Sequence, residues 1–219
     1  MARGLFITFE GIEGSGKTTQ ATLLVEYLKS KDIPVLYTRE PGGTPIGDQI
    51  RKVLLNTENH HMTGLTELLL YGASRAQHVE QLIRPSLEKG VMVVCDRYTD
   101  ATLAYQWAGR GLDRKAVEMV NGLATSGLYP DLTILLDVPV ELGLERAKSR
   151  NLKLNLQNRE GRFEEESLSF HHRVREGYRK LAAGEPDRIY LIDGTQDIQT
   201  IHEEIKRIVL ARRTDKSEG

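Results

Sequence analysis

The sequence has 219 residues, 39 % of them apolar and 28 % charged, with 20 Gly and 7 Pro, which is the composition of a globular chain and not of a disordered or collagen-like one. Lys+Arg at 30 against Asp+Glu at 31 leaves a net charge of −1, so no overall positive field draws it to nucleic acid. The longest strictly apolar run, Val91–Cys95, is far too short to span a membrane, the N-terminal MARGLFITFE has no export signature, and the single Cys95 excludes an internal disulfide; a cytoplasmic protein with no membrane partner is expected.

Leu5–Phe9 is the first of five continuous apolar runs, the others being Ile33–Tyr37, Val91–Cys95, Leu132–Leu136 and Ile189–Ile192. Continuous rather than alternating runs suit strands of a parallel sheet covered on both faces. Between the first run and a helix marked by Leu24, Val25 and Leu28 stands Gly11-Ile12-Glu13-Gly14-Ser15-Gly16-Lys17-Thr18, followed by Thr19. This fits G-x-x-x-x-G-K-[ST], in which glycines let the backbone curl its N–H groups around an anion while the next helix adds its positive end. Lys17 would reach the β- and γ-phosphates and Thr18 would offer an oxygen to Mg²⁺. A Rossmann reading fails because Thr19 stands where the third glycine belongs.

Thr44-Pro45 reads as an N-cap with Pro at N1, opening a helix through Ile46, Ile50, Val53 and Leu54. A longer helical pattern runs from about Leu65 to Ile83 and is expected to stop before Pro85. Later helices are expected near Asp113, Pro139, Phe163 and Ile198. The adjacent pairs His60-His61 and His171-His172 diverge on a helix or strand and read as surface residues, not metal ligands. The alternation predicts one α/β domain, 1–212, with a doubly wound five-stranded parallel sheet, a mobile lid at about 146–162 and a frayed tail at 213–219.

Two further strands end in acids, Asp96 and Asp137, and either suits the Mg²⁺ side of a phosphate site. Asp137 leads into Val138-Pro139 and reads better as a helix-entry cap. Asp96-Arg97 sets an acid and a phosphate-binding guanidinium at the carboxyl end of a strand, where open α/β sheets bind ligands. No N-K-x-D for guanine and no LSGGQ is present, which leaves phosphoryl transfer from a nucleoside triphosphate to a second small anion.

Thr38-Arg39-Glu40-Pro41-Gly42-Gly43-Thr44, Asp96-Arg97-Tyr98, Tyr105-Gln106 with Gly109-Arg110-Gly111, and Arg162-Phe163-Glu164 with Arg173 to Tyr178 resemble the motifs of bacterial thymidylate kinases, in matching order from about Leu5 to Val209. The resemblance implies a P-loop kinase fold, ATP with Mg²⁺ as donor, dTMP as acceptor in dTTP synthesis, and a homodimer. It implies that Gly11 to Thr19 hold the ATP phosphates, with Thr18 and Asp96 toward the metal and Lys17, Asp96, Arg97 and a lid arginine as catalytic groups. On the acceptor side it implies Glu13 near the sugar 3′-hydroxyl, Arg39 and Arg97 on the phosphate, Tyr71 stacked on thymine, Arg75 on a base carbonyl, Thr102 at the base edge and Tyr105 against the sugar 2′ position, with Pro41 and Gln106 alongside. The P-loop interior carries no arginine, and in the family such chains draw it from the lid. The candidates are Arg146, Arg150, Arg159 and Arg162, of which Arg150 is the first choice. Here the chain departs from the family pattern: Leu152 to Asn158 lengthens the lid, and Gly161 stands where Asp is usual. Two other readings stay open: a kinase for another nucleotide or deoxynucleoside, and a nucleotide-binding regulator without turnover.

Overall fold

All five apolar runs form strands, and each continues to a charged residue. They are β1 (Phe6–Glu10), β2 (Val35–Arg39), β3 (Met92–Asp96), β4 (Leu132–Asp137) and β5 (Ile189–Asp193). The shift toward the polar end arises because the ladder continues while a neighbour is in register: Arg39 pairs with Asp96, and Asp137 with Asp193. The strands are parallel in the order β2-β3-β1-β4-β5, so charged groups collect at one edge around the central β1. The computed structural model describes residues 3–154 and 161–218.

Helices α1 (Lys17–Ser30) and α9 (Ile198–Glu218) cover one sheet face, packing Leu24, Leu28, Ile201 and Ile205 on Ile7, Phe9, Ile134 and Leu136. Each fully buried aliphatic or aromatic side chain there contributes about 1.5–3 kcal/mol. Between β2 and β3 lie α2 (Pro45–Leu55), capped by Thr44 as expected, α3 (Gly64–His78), and α4 (Arg84–Glu88). The helix after Leu65 does not stop before Pro85. A π-helical turn, Val79–Ile83, lets the Arg84 N–H reach back to the Val79 carbonyl, and Pro85 follows it in the first turn of α4.

Beyond β3 come α5 (Thr99–Thr102), a second π segment at Leu103–Gly109, and α6 (Arg114–Thr125), whose N-cap is Asp113 as expected. Helix α7 (Val140–Leu154) begins where Pro139 placed it but runs past Arg150, and α8 (Leu168–Gly184) starts later than Phe163 because Ser167 is the residue that caps it. Val174 and Tyr178 of α8 pack on the second sheet face near Leu135, while Val79, Ile83 and Leu87 pack there on Phe6 and Val93. Helix α9 carries helical backbone to Glu218, through the segment expected to be a tail. Among the described residues no helix is long and apolar enough to cross a membrane.

Candidate active site

At the charged edge of the sheet opens a cleft of about 770 Å³, in the upper range for small-molecule sites. Of the residues expected in the site, all but Gly11 and Ile12 line it. Those two turn their carbonyls inward: Ile12 accepts from Lys17 Nζ at 2.8 Å and Gly11 from Arg97 Nη1 at 3.1 Å. The loop between β1 and α1 has left-handed backbone at Gly14 and Gly16, with φ of 67° and 95°, a region that L side chains rarely enter. A Cβ on Gly14 would lie 2.0 Å from the Gly143 carbonyl, so the two glycines let α7 rest directly on the loop.

Helix α1 has no side-chain cap, and Ser15 Oγ is buried without a hydrogen-bond partner. Free first-turn N–H groups and an orphaned hydroxyl beside a lysine fit a phosphate. Burial first, then the nearby Arg97 charge, push the Lys17 ammonium down to about 8. Thr18 Oγ1 donates to Asp96 Oδ2 at 2.5 Å. A hydroxyl and one carboxylate are the donors Mg²⁺ accepts when phosphate oxygens and waters complete its shell, so the residues fit that ion. Asp137, the other candidate acid, gives both oxygens to Arg175, at 2.7 and 2.9 Å.

Arg97 stands at φ 71°, a strained left-handed position for a non-glycine residue. Its guanidinium meets the Tyr105 hydroxyl at 3.1 Å, the Tyr178 hydroxyl at 3.4 Å and Glu13 Oε1 at 3.0 Å, and Tyr105 donates to the same Glu13 oxygen at 2.5 Å. Burial alone would raise the Glu13 carboxyl, but His171, Arg97, Lys17 and Tyr105 outweigh it and hold the group well below the usual carboxylate range. His171 corrects the sequence reading. It is fully buried beside Glu13, whereas His172, one residue and roughly 100° around the helix, is exposed.

Glu10 is a residue the sequence reading missed, although its signal was there as the acid ending the first apolar run. It is fully buried, and its carboxylate accepts from the Tyr98 N–H at 2.7 Å and the Tyr178 hydroxyl at 2.8 Å. Burial and then Asp100 push it up to about 8 against a reference of 4.5, with Arg97 and the two hydrogen bonds opposing. The folded protein therefore holds this proton more tightly than the unfolded chain does. The associated stability is complete below about pH 4.5 and is lost as pH rises through about 8. Glu10→Gln carries no such proton. Its unfolding midpoint is expected to gain on the parent's between pH 5 and 9; a difference that stays flat across that range would contradict the assignment.

Across the cleft, Arg75 is 1 % exposed and fully engaged on three sides. Nε donates to Glu40 Oε2 at 2.8 Å, Nη1 to Thr102 Oγ1 at 2.9 Å and Asn121 Oδ1 at 2.6 Å, and Nη2 to the Tyr98 carbonyl at 2.9 Å. Four of its five N–H groups are taken, leaving one Nη2 hydrogen for a ligand. His78 Nδ1 braces the other Glu40 oxygen at 3.0 Å. Tyr71 is half-buried, one turn before Arg75, and burial raises its hydroxyl far above the usual range. Arg39 is exposed at the end of β2, Gln106 donates to Glu67 Oε1 at 2.8 Å, and Pro41 O accepts from Arg51, a cleft residue absent from the sequence reading.

The family model for thymidylate kinase matches residues 9–205. The chain belongs to the thymidylate kinase family. Relatives in the family include the thymidylate kinase of Geotalea uraniireducens, 54 % identical over 209 residues covering 95 % of this chain and 98 % of the relative, and that of Maridesulfovibrio salexigens, 51 % identical over 208 residues covering 95 % and 96 %. The crystal structure of thymidylate kinase from Ehrlichia chaffeensis superposes with a TM-score of 0.74 at 34 % identity, covering 94 % of this chain and 99 % of that one. The five-stranded parallel sheet with helices on both faces is thus the P-loop kinase fold of the family.

The lid arginines expected from the family pattern separate by environment. Arg162 is 5 % exposed and is not among the residues that line the cleft, with Nε donating to Leu54 O and Nη2 at 2.7 Å from Glu67 Oε2. Arg146 lines the cleft and donates to the Gly194 carbonyl at 3.2 Å. Arg150, one turn later on the same face, also lines the cleft; its side chain is half exposed and paired with Asn151 and with Glu164 at 3.3 Å. Arg159 lies outside the described residues.

Proposed function

We infer that this chain transfers the γ-phosphoryl group of ATP to dTMP, releasing dTDP and ADP on the route to dTTP. The observation that carries the reading is a single cleft lined by the phosphate loop and by Arg39, Arg97 and Arg75, in a chain of this family. An oxygen of the acceptor phosphate attacks Pγ, the bond from Pγ to the bridging oxygen breaks, and the electron pair leaves with ADP. That oxygen is already ionised, so no base is needed; the demand is for positive charge around the reacting groups. Lys17 supplies it on the donor side, and Arg39 and Arg97 on the acceptor phosphate, where a guanidinium fork matches phosphate oxygens. Thr18 and Asp96 would hold Mg²⁺, which when bound neutralises charge on the β- and γ-oxygens.

Tyr71 offers a face for the base, and the free Nη2 hydrogen of Arg75 suits a carbonyl at its 4-position. Arg75 has no acceptor capacity, so an amino group there meets a donor facing a donor. A coupled ADP-release assay is expected to rank dTMP first, dUMP lower and dCMP far lower, with thymidine inactive. Equal rates on dCMP and dTMP would contradict the base-reading role, and turnover of thymidine alone would favour a deoxynucleoside kinase.

The chain is further read as a single domain over 1–212, a cytoplasmic protein and a homodimer. Leu65 and Leu69 on α3 and Met119 and Leu123 on α6 are large apolar side chains 53–77 % exposed, on two helices that pack together. Large exposed apolar side chains on two helices that pack together support burial against a second copy.

A further inference from the structure

We propose that His171 is a positioning residue for the acceptor's sugar, acting by holding the Glu13 carboxylate in the orientation that accepts the sugar hydroxyl. The inference rests on the dTMP kinase reading above and extends it to a residue outside the cleft wall.

His171 sits in the first turn of α8, where Ser167 fixes the start of the helix by accepting from the Phe170 N–H at 3.2 Å. Its side chain is 0 % exposed, and neither ring nitrogen has a hydrogen-bond partner. Buried polar atoms are almost always bonded, and an unmatched one carries a desolvation cost of about 1–3 kcal/mol. The nearest complementary group is Glu13 Oε2, 3.5 Å from Nδ1, which is also buried and also lacks a hydrogen bond. Glu13 Oε1, by contrast, accepts from Tyr105 and Arg97, both of which line the cleft. The carboxylate is thus held firmly through one oxygen, while the other faces an imidazole a few tenths of an ångström beyond bonding distance. Site hydrogen bonds that are long in the free protein commonly tighten once the ligand is in place.

The chemistry of the ligand group follows from the carboxylate. A charged Glu13 repels the acceptor phosphate and offers only acceptor oxygens, so its partner must be a neutral donor. A deoxynucleoside 5′-monophosphate has one free sugar hydroxyl, at the 3′ position, and its base lies toward Tyr71 and Arg75. The 3′-hydroxyl is therefore the donor, reaching Oε1 on the side of Tyr105 and Arg97, while an Nδ1–H bond from His171 to Oε2 stops the carboxylate from swinging away from it.

The test compares His171→Phe, which keeps a ring against Phe170 but has no donor, with His171→Asn, whose amide stands near the Nδ1 position. KM and kcat are measured at saturating ATP for dTMP and for its 3′-deoxy analogue, with thermal unfolding as a check on the fold. Losing one hydrogen bond to a charged group is expected to raise the KM for dTMP about tenfold in His171→Phe, with kcat within about twofold. His171→Asn recovers most of that loss. With the 3′-deoxy analogue the parent and His171→Phe are expected to have equal KM. An unchanged KM for dTMP, or the same rise with both acceptors, overturns the proposal, the second result marking His171 as packing alone. If the Phe variant does not fold, His171→Gln, whose amide reaches the Nε2 position instead, serves the same comparison. The parent's own turnover of dTMP, measured first, tests the function separately.

Discussion

Lys17→Met is expected to leave a folded protein whose turnover is at least about 100-fold below the parent's, a loss of about 3 kcal/mol or more of transition-state stabilisation. The lysine is buried and its hydrogen bond to Ile12 O is local, so among the described residues removing it cuts no long-range hydrogen bond. Met has nearly the same length and does not need its charge desolvated. The stability effect has a definite sign. The ammonium is pushed down to about 8 in the fold from 10.5, so below pH 8 the folded state carries the full cost of a buried charge. That cost disappears between about pH 8 and 10.5. The Met variant is therefore expected to be at least as stable as the parent at pH 7, with its advantage shrinking as pH rises through that window. Low activity with this profile assigns the defect to chemistry. Near-normal turnover in the purified variant would falsify phosphoryl transfer at this loop.

The second large effect is expected at Arg150. The phosphate loop itself has no arginine, and among the described lid candidates Arg162 is committed to Glu67 and Leu54 while Arg146 is tied to Gly194. Arg150, its side chain half exposed, is held among the described residues by Glu164 and by the adjacent Asn151. With the Arg150 end half exposed, water partly screens the pair, and a phosphoryl group can displace Glu164. Arginines placed over a transferring phosphoryl group accelerate transfer by about 10³–10⁵-fold in related systems. We expect Arg150→Ala to lower kcat by at least about 100-fold and to shift the KM for dTMP by no more than about threefold. Arg146→Ala and Arg159→Ala are measured beside it. A mild effect at Arg150 with a large one at either of the others would move the role and show that the long lid runs differently from the family pattern.

The sheet was legible in the sequence because five buried strands leave five uninterrupted apolar runs, and the phosphate loop because its glycines and lysine are contiguous. What depends on distant partners was harder to see. Glu10 follows an apolar run and still becomes a buried carboxyl, since Tyr178 arrives from a helix 168 residues later in the chain. His171 and His172 are chemically identical in sequence, and only the packing of α8 decides which one faces Glu13. The stop expected before Pro85 failed because a widened turn absorbs a missing N–H that would break a regular helix. Arg75 illustrates both sides: its place one turn after Tyr71 follows from spacing, but the four bonds that fix it come from Glu40, Tyr98, Thr102 and Asn121, on different elements.

The π segment at Leu103–Gly109 bears on how the chain can change length over evolution. Its hydrogen bonds span five residues, as from the Arg110 N–H back to the Tyr105 carbonyl, so the coil holds a residue that an ordinary helix would not need. Deleting one residue would restore regular winding with no gap to close, so the residues on either side keep their places. Arg110 would stay on Glu67, and Gly109, whose missing Cβ makes room for Phe170 and Val174, would stay at that contact. A homologue one residue shorter between 103 and 109 should therefore keep the rest of the acceptor pocket in place and differ only within the segment itself.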